Sequence, residues 1–349
     1  MRVQKVAVFS SLFTEDDLKR MNQSPTLSAA SIHTQVFQRC ATVYVHRGRR
    51  IWSCLPGFVR ALPIASAYAR HLHALVERYV ERNQSHSTFF LRNRPELELM
   101  VQLLKDKAQG ATLNIAVVAC SKGAEVYSIA WKLRSSRPDL QVRMRAVDIS
   151  EEVVNFAKRG VYSFQAIRAA GDCGCQPAGH VADLTWKDQV WEARPLSMFE
   201  RMTEKEVGEM FEIQGNEATV RPWLKEGIDW HPGDATDAQF ASILGPQDIV
   251  VANRFLCHMK PAAAEACLRN IAGLVKPGGY LFVSGIDLDV RTKVAQDLGW
   301  RPVPDLMREV HEGDPSLLQG WPLEYWGIEP FSSRRSDWKI RFASVFQIE

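Results

Sequence analysis

The run Ile115-Ala116-Val117-Val118-Ala119-Cys120-Ser121-Lys122-Gly123-Ala124-Glu125-Val126-Tyr127-Ser128 leaves this chain few folds to choose from. A short apolar stretch ends in small residues, turns at a glycine and hands over to a helical pattern. A second β-type run, Val142 to Val147, then ends on the carboxylate of Asp148. That is the layout of a nucleotide-binding βαβ unit. Its first turn brings backbone N–H groups to a ligand, and the acid after the second strand accepts hydrogen bonds from ribose hydroxyls. An ordinary strand–turn–helix of an α/β core would leave the same trace, so the segment points to an adenosine-type ligand without fixing the chemistry.

The turn itself narrows the ligand. A dinucleotide fingerprint uses three glycines so that a pyrophosphate can approach the backbone. Here only Gly123 is present and no Gly-Lys-Ser/Thr follows, which weakens the dinucleotide and P-loop readings alike. S-adenosylmethionine has no phosphate, and its sulfonium and ammonium groups tolerate a carboxylate such as Glu125.

At 349 residues, with 46% hydrophobic and 24% charged residues, the chain can bury one large core plus an extension. A net charge of only +3 provides no field to recruit nucleic acid or an anionic membrane, and Arg47, Arg49 and Arg50 read as a solvated turn. No apolar run approaches the roughly 18 residues of a membrane span, and Val6 to Phe9 is too short for a signal peptide's apolar region. Seven scattered cysteines, several in apolar runs, point to a reducing compartment and a cytoplasmic protein. Cys173-Gly174-Cys175 with His180 is at most half of a metal site, so no metal is expected.

Residues 1–85 form a separate N-terminal region of unknown role. In it Val3 to Phe9 reads as a strand, Val43 to Arg50 as a strand running into a turn, and Ile64 to Arg82 as a helix. Ala67, His71, Ala74, Leu75 and Arg78 fall at helical spacing within that helix. From Pro95 the chain alternates. A helix to about Lys107 is followed by strand Leu113–Ala119, helix Glu125–Arg134, strand Val142–Val147 and helix Glu151–Arg159, with Ser150 as N-cap. Such alternation implies a parallel sheet. Residues from about 162 to 196 lack periodicity and read as an insertion, expected to cover the acceptor side of the pocket. A short helix, Glu204–Phe211, comes next. The sheet resumes at Asp248–Ala252, with a helix from Ala262 to Val275, a stop at Lys276-Pro277-Gly278-Gly279 and a strand from Tyr280 to Ser284. Trp338 to Ile348 alternates as one long strand.

This order resembles the class I S-adenosylmethionine-dependent methyltransferases, a Rossmann-like α/β fold with a mostly parallel sheet, helices on both faces and an antiparallel C-terminal strand. An N-terminal α/β extension would precede it here. From about His86 to the C-terminus the chain looks more narrowly like the CheR-type family, the chemotaxis-receptor glutamate methyltransferases. The family's Asn-x-Thr-x-Phe-Phe-Arg is matched by His86-Ser87-Thr88-Phe89-Phe90-Leu91-Arg92, with His for Asn and Leu for the second Phe. Its Ser-Thr-Gly-Glu-Glu-Pro-Tyr-Ser is matched by Ser121 to Ser128, which keeps the second Glu. Its Ser-Asp-Ile is matched by Val147-Asp148-Ile149 and its Gly-x-Tyr by Gly160-Val161-Tyr162.

The resemblance implies that residues 86–349 form a domain that binds S-adenosyl-L-methionine. Thr88 and Arg92 would hold the cofactor, Arg92 through its methionine carboxylate. Glu125 would meet the amino group, Asp148 the ribose hydroxyls, and Asp234 with Ala235 the adenine. Gly123 would form the close turn, and Asn253 and Arg254 would complete the site. At the acceptor end the family's Arg-Asn-Val-x-Ile-Tyr-Phe becomes Asn253-Arg254-Phe255-Leu256-Cys257-His258-Met259, and its Gly-His-Ser-Glu becomes Ser284-Gly285-Ile286-Asp287. The cofactor half is kept and the acceptor half rebuilt.

The implied activity is transfer of a methyl group to a carboxylate or hydroxyl oxygen of a protein or small molecule. A carboxylate acceptor needs no base. A hydroxyl would need one, and His258 is the candidate, although a satisfied core histidine would look the same. A catalytically silent S-adenosylmethionine-binding sensor or scaffold is the competing reading, and a dinucleotide oxidoreductase a weaker third.

Overall fold

The computed structural model describes residues 43–60, 62–84, 86–164, 198–237 and 239–349. The chain divides into two compact units, Met1–Val80 and Glu81–Glu349. The expected strand at Val3–Phe9 lies outside the described residues.

In the first unit residues 43–54 are helical, and the helices Gly57–Arg60 and Pro63–Tyr79 follow. This corrects the strand and turn expected at Val43–Arg50. The β-branched residues there favour a strand locally, but Val45, Gly48 and Trp52 are buried at helical spacing. Gly48 is a close helix–helix approach, not a turn: a Cβ there would lie 2.8 Å from Leu72 Cδ1 and 2.9 Å from Tyr68 Oη. Helix Pro63–Tyr79 buries Ala69, Leu72, His73 and Val76, so its inner stripe also differs from the one read in the sequence. The regular elements among the described residues of the extension are all helices.

Among its described residues the second unit contains ten strands: β1 Thr112–Val118, β2 Gln141–Asp148, β3 Val161–Ser163, β4 Phe211–Gln214, β5 Glu217–Val220, β6 Ile228–Pro232, β7 Gln247–Val251, β8 Val275–Phe282, β9 Arg301–Pro302 and β10 Val345–Gln347. Seven of them form one sheet in the order β6-β2-β1-β7-β8-β10-β9. The first five in that order pair in parallel, and β10 runs antiparallel to both β8 and β9. This is the mostly parallel sheet with an antiparallel last strand that the sequence implied.

Strand β1 is apolar along its length because both its faces are covered. Ile115 and Val117 join one buried cluster, which includes residues of helices Arg94–Leu103 and Ala124–Ser136. Ala116 and Val118 join the other, with helices Pro261–Ala272 and Leu288–Asp297.

Two expected elements differ. Trp338–Arg341 is a helical turn, and only Val345–Gln347 of the long C-terminal run is strand. Phe331 explains this, since its ring meets both Trp338 at 5.8 Å and Phe342 at 5.2 Å. Residues four apart lie about 13 Å apart along a strand but stack on one helix face. The second difference is at Lys276-Pro277-Gly278-Gly279, which belongs to β8 and is absorbed by a shift of register against Gln247–Ile249.

A second sheet, β3-β5-β4, is antiparallel and carries no signal that sequence reading detected. Its strands enclose an aromatic cluster in which Phe90 meets Tyr162 at 5.2 Å and Phe211 at 4.9 Å. Phe90 thereby anchors the segment that leads to Arg92. Most of the expected insertion, residues 165–197, lies outside the described residues, as do Cys173, Cys175 and His180.

The order of the sheet decides where a ligand can sit. From β1 the chain steps outward to β2 and β6, then returns to β7 beside β1 and steps the other way to β8. Loops leaving β1 and β7 therefore diverge, and a crevice opens at their carboxyl ends.

Candidate functional site

At that crevice lies a cavity of about 250 Å³. It is lined from β1 by Ala119, Cys120 and Ser121, from the end of β2 by Asp148, and from the loop after β6 by Asp234 and Ala235. The loop after β7 adds Asn253 and Arg254, and residues 84–96 close the other side. Backbone strain gathers here, with positive φ at Leu91 (51°), Ala119 (56°), Ser121 (49°) and Arg254 (65°). At Arg254 the strained loop is possible only because Gly285 faces it: a Cβ on Gly285 would come within 2.8 Å of Arg254 Cα.

Of the residues singled out in the sequence, Thr88, Arg92, Glu125, Asp148, Asp234, Ala235, Asn253, Arg254 and His258 all line this one cavity. Gly123 does not. Its φ of 83° turns the chain into helix Ala124–Ser136, and an added Cβ would meet Ala157 at 3.0 Å and Trp230 at 3.1 Å. The glycine is needed for the turn and for packing behind it. Gln84, assigned above to the N-terminal region, does line the cavity.

Asp148 is fixed before any ligand arrives. Its Oδ2 accepts the Ser121 N–H at 2.8 Å and its Oδ1 the Ser150 N–H at 3.1 Å, so the strand end and the glycine turn share one carboxylate. Each oxygen keeps a lone pair for a diol. Asp234 Oδ1 accepts from the Thr236 amide at 2.8 Å and hydroxyl at 2.7 Å, which shapes the loop over Ala235.

The deepest polar group is an amide between two acids. Asn253 Nδ2 donates to Glu96 Oε1 and to Glu125 Oε1, both at 2.8 Å. Its Oδ1 accepts from the Ser284 amide at 2.9 Å and hydroxyl at 2.8 Å, so every hydrogen-bonding capacity of the side chain is used. Burial pushes both carboxyls above their usual range. The charge of Glu125 adds to the rise at Glu96, while the Asn253 hydrogen bond opposes it at both.

Across the cavity stand arginines. Arg92 donates to the Ser87 carbonyl at 2.9 Å, and its guanidinium lies 5.4 Å from the Phe89 ring. Burial and the neighbouring charge of Arg254 pull its pKa down to about 10. Arg201, Arg254 and Arg92 converge on one buried carboxylate, Asp314, at 3.0, 3.3 and 3.9 Å. Burial works to raise the Asp314 pKa, but the charges of Arg254 and Arg92 and the Ser316 hydrogen bond outweigh it and hold the group low. Three guanidiniums and one carboxylate leave this wall positive.

His258 ends a short 3-10 turn, Leu256–His258, and its Nδ1 lies 2.8 Å from Tyr325 Oη. The tyrosine donates its own proton to the Asn83 carbonyl at 3.0 Å, so it accepts from the histidine. Burial, then the Arg254 charge, lower the pKa of the ring from the ordinary histidine range. Asp287, in the rebuilt stretch after β8, makes a bidentate pair with Arg82, which also donates to the Cys257 and Met259 carbonyls at 2.9 and 2.8 Å. That departure from the family pattern holds the 256–259 turn in place.

Sequence reading missed Glu96, Arg201, Asp314 and Tyr325. Glu96 passes for an ordinary first-turn acid after Arg94-Pro95. Its one signal is that it shares a face with Met100, four residues on, and that face is buried.

Residues 86–171 match the family model described as the CheR methyltransferase, SAM binding domain, and residues 197–283 the model described as a methyltransferase domain. The chain is 25% identical over 198 residues to an uncharacterized 104.1 kDa protein of Rhodobacter capsulatus, covering 55% of this chain and 17% of that protein. It is 24% identical over 221 residues to chemotaxis protein methyltransferase 1 of Pseudomonas aeruginosa, covering 60% of this chain and 68% of that protein. Similar solved structures include the magnesium protoporphyrin IX methyltransferase of Synechocystis with bound SAM, at 16% identity and a TM-score of 0.31, covering 80% of this chain and 90% of that one. Another is an O-methyltransferase family protein from Burkholderia thailandensis, at 13% identity and a TM-score of 0.31, covering 59% and 42%. Both matched models are of methyltransferase domains, and the first is of one that binds S-adenosyl-L-methionine; the chain spans less than a fifth of the length of the Rhodobacter relative. Among the described residues no helix is long and apolar enough to cross a membrane.

Proposed function

We propose that this chain is a CheR-like O-methyltransferase that uses S-adenosyl-L-methionine, with a carboxylate, carried by a protein or a small molecule, as its acceptor. The observation that carries the cofactor half is the division of charge within one cavity. Glu96 and Glu125 offer two carboxyls to an ammonium, Arg92 and Arg254 offer positive charge to a carboxylate, and Asp148 has lone pairs left for a ribose diol. An amino-acid head joined to a nucleoside presents those groups in that order. Arg92 Nε is buried without a hydrogen-bond partner, its contact with Asp314 Oδ2 being 3.9 Å, so the guanidinium keeps donor capacity to spare.

The cofactor supplies an electrophilic methyl carbon. The protein's part is to hold the acceptor oxygen in line and keep water out. A carboxylate arrives already ionised and needs no base, and the charge of Arg254 in the cavity lining favours an anion. His258 is tied to Tyr325 at Nδ1, which fixes its ring, and an acceptor that is already ionised asks no base of it. The Pseudomonas relative is named as a chemotaxis protein methyltransferase, which favours a protein as the carrier of the acceptor.

Incubating the protein with methyl-labelled cofactor and a cell extract tests this reading. A carboxylate acceptor yields esters whose label leaves as volatile methanol in alkali. Base-stable label would mean a hydroxyl or nitrogen acceptor, and saturable binding with no transfer a sensor. With the carboxylate acceptor, His258→Phe is expected to lower turnover by less than about tenfold, with no inflection near a histidine pKa in the pH–rate profile. A loss of about 10²–10⁴-fold would assign His258 the base's role.

A further inference from the structure

Glu96 has no counterpart in the motifs that carry the family resemblance, yet it lies at the floor of the cavity and is only 4% exposed. One of its oxygens takes an Asn253 hydrogen; the other, Oε2, is buried with no hydrogen-bond partner. A buried acceptor left unsatisfied costs about 1–3 kcal/mol, more if the group is charged, unless something is built to meet it. The second carboxylate, Glu125, hangs from the same amide nitrogen, so the two acids face one another across Asn253.

We propose that Glu96 is a second cofactor-binding carboxylate: in the free protein Glu96 and Glu125 together hold one proton, and entry of the cofactor's cationic amino-acid end displaces that proton to solvent. This rests on the reading of the cavity as an S-adenosyl-L-methionine site. The physical ground is that two buried carboxylates on one amide do not both ionise unless a cation joins them.

The charges around the pair do not supply that cation. On the segment before its helix Arg92 lowers the Glu96 pKa, but Asp314, from the far wall, raises it. At Glu125 Arg92 and Arg254 act downward and Asp314 upward. Burial is the largest influence on both, and Arg92 and Arg254 are engaged with the Asp314 carboxylate. When an ammonium arrives, the O–H bond of the protonated member breaks, its proton leaves to water, and both carboxylates become acceptors for the incoming N–H donors. Product release follows the same logic. S-adenosylmethionine carries a sulfonium charge that its demethylated product lacks, so the doubly ionised pair holds the substrate form more firmly.

The test is calorimetric titration of S-adenosyl-L-methionine into the full chain, at pH 6 and pH 7.5, where most of the cofactor's amino group is protonated, in buffers of different ionisation enthalpy. The wild type is expected to release up to about one proton per cofactor at pH 6, with tighter binding at pH 7.5. Glu96→Gln should release no proton, bind about tenfold or more weakly at pH 7.5, and lose the pH dependence. Removing one of two facing acids should not lower its unfolding midpoint at pH 8, which guards against a folding artefact. Saturable binding with equal affinity and equal proton release in wild type and Glu96→Gln would overturn the proposal while leaving the cofactor reading intact. No binding by the wild type would overturn both.

Discussion

Replacing Asn253 with aspartate is expected to destabilise the protein by roughly 3–5 kcal/mol at pH 8 and to abolish measurable cofactor binding. The substitution keeps the shape and the acceptor for the Ser284 amide and hydroxyl, but it removes two N–H donors from two buried carboxylates. Each such bond to an ionised group is worth about 1.5–3 kcal/mol. It also places a third acid against the pair. The pH dependence has a definite sign. Acids whose folded-state pKa is raised contribute most when protonated, and that contribution is lost as pH rises through the folded value. The deficit of Asn253→Asp should therefore grow from pH 5 to pH 8, whereas Asn253→Leu should be destabilised with a much flatter trend. Urea unfolding of the three proteins at both pH values measures this. A deficit under about 1 kcal/mol at pH 8, or one that does not change with pH, would mean that the amide does not bridge two acids.

Asp314→Ala is expected to cost about 3–5 kcal/mol, because it strips the one carboxylate from three mostly buried guanidiniums. Arg92, Arg201 and Arg254 would then repel one another, and the Ser316 amide and hydroxyl would lose their acceptor as well. Asp314→Asn retains the shape but not the charge, so it should lose most of the same stability. Both variants should recover part of the loss in concentrated sulfate, an anion able to enter the vacated position, while the wild type gains less. Thermal unfolding with and without sulfate checks this, and equal salt responses in all three proteins would contradict it.

Much of the fold was legible because its signals are local. The turn at Gly123, the apolar strand before it and the acid after β2 all lie within about thirty-five residues, and each follows from period and turn chemistry. Errors arose where a local preference met a different tertiary demand. Val43-Tyr44-Val45 reads as strand, but Gly48 lets one helix approach another, and the chain obeys the packing. Trp338 and Phe342 alternate like a strand, but both must reach Phe331.

The site divides in the same way. Residues that the motif segments contain, from Thr88 to Arg254, converge on one cavity. Glu96, Arg201 and Asp314 come from distant parts of the chain, and none differs in sequence from a surface charge. Only the geometry reveals that Asn253 joins Glu96 to Glu125, or that three arginines meet one aspartate. The rebuilt acceptor stretch was visible as a departure, but its consequence, Asp287 bound to Arg82 and His258 to Tyr325, needed the fold.

The central claim is that the crevice between β1 and β7 binds S-adenosyl-L-methionine with its ribose on Asp148. Calorimetric titration of that cofactor into the wild type and into Asp148→Ala tests it most directly. The predicted result is saturable binding at one site, weakened about ten- to a hundredfold in the variant while its circular dichroism stays native. Absence of binding to the wild type, or unchanged affinity in a natively folded variant, would contradict it.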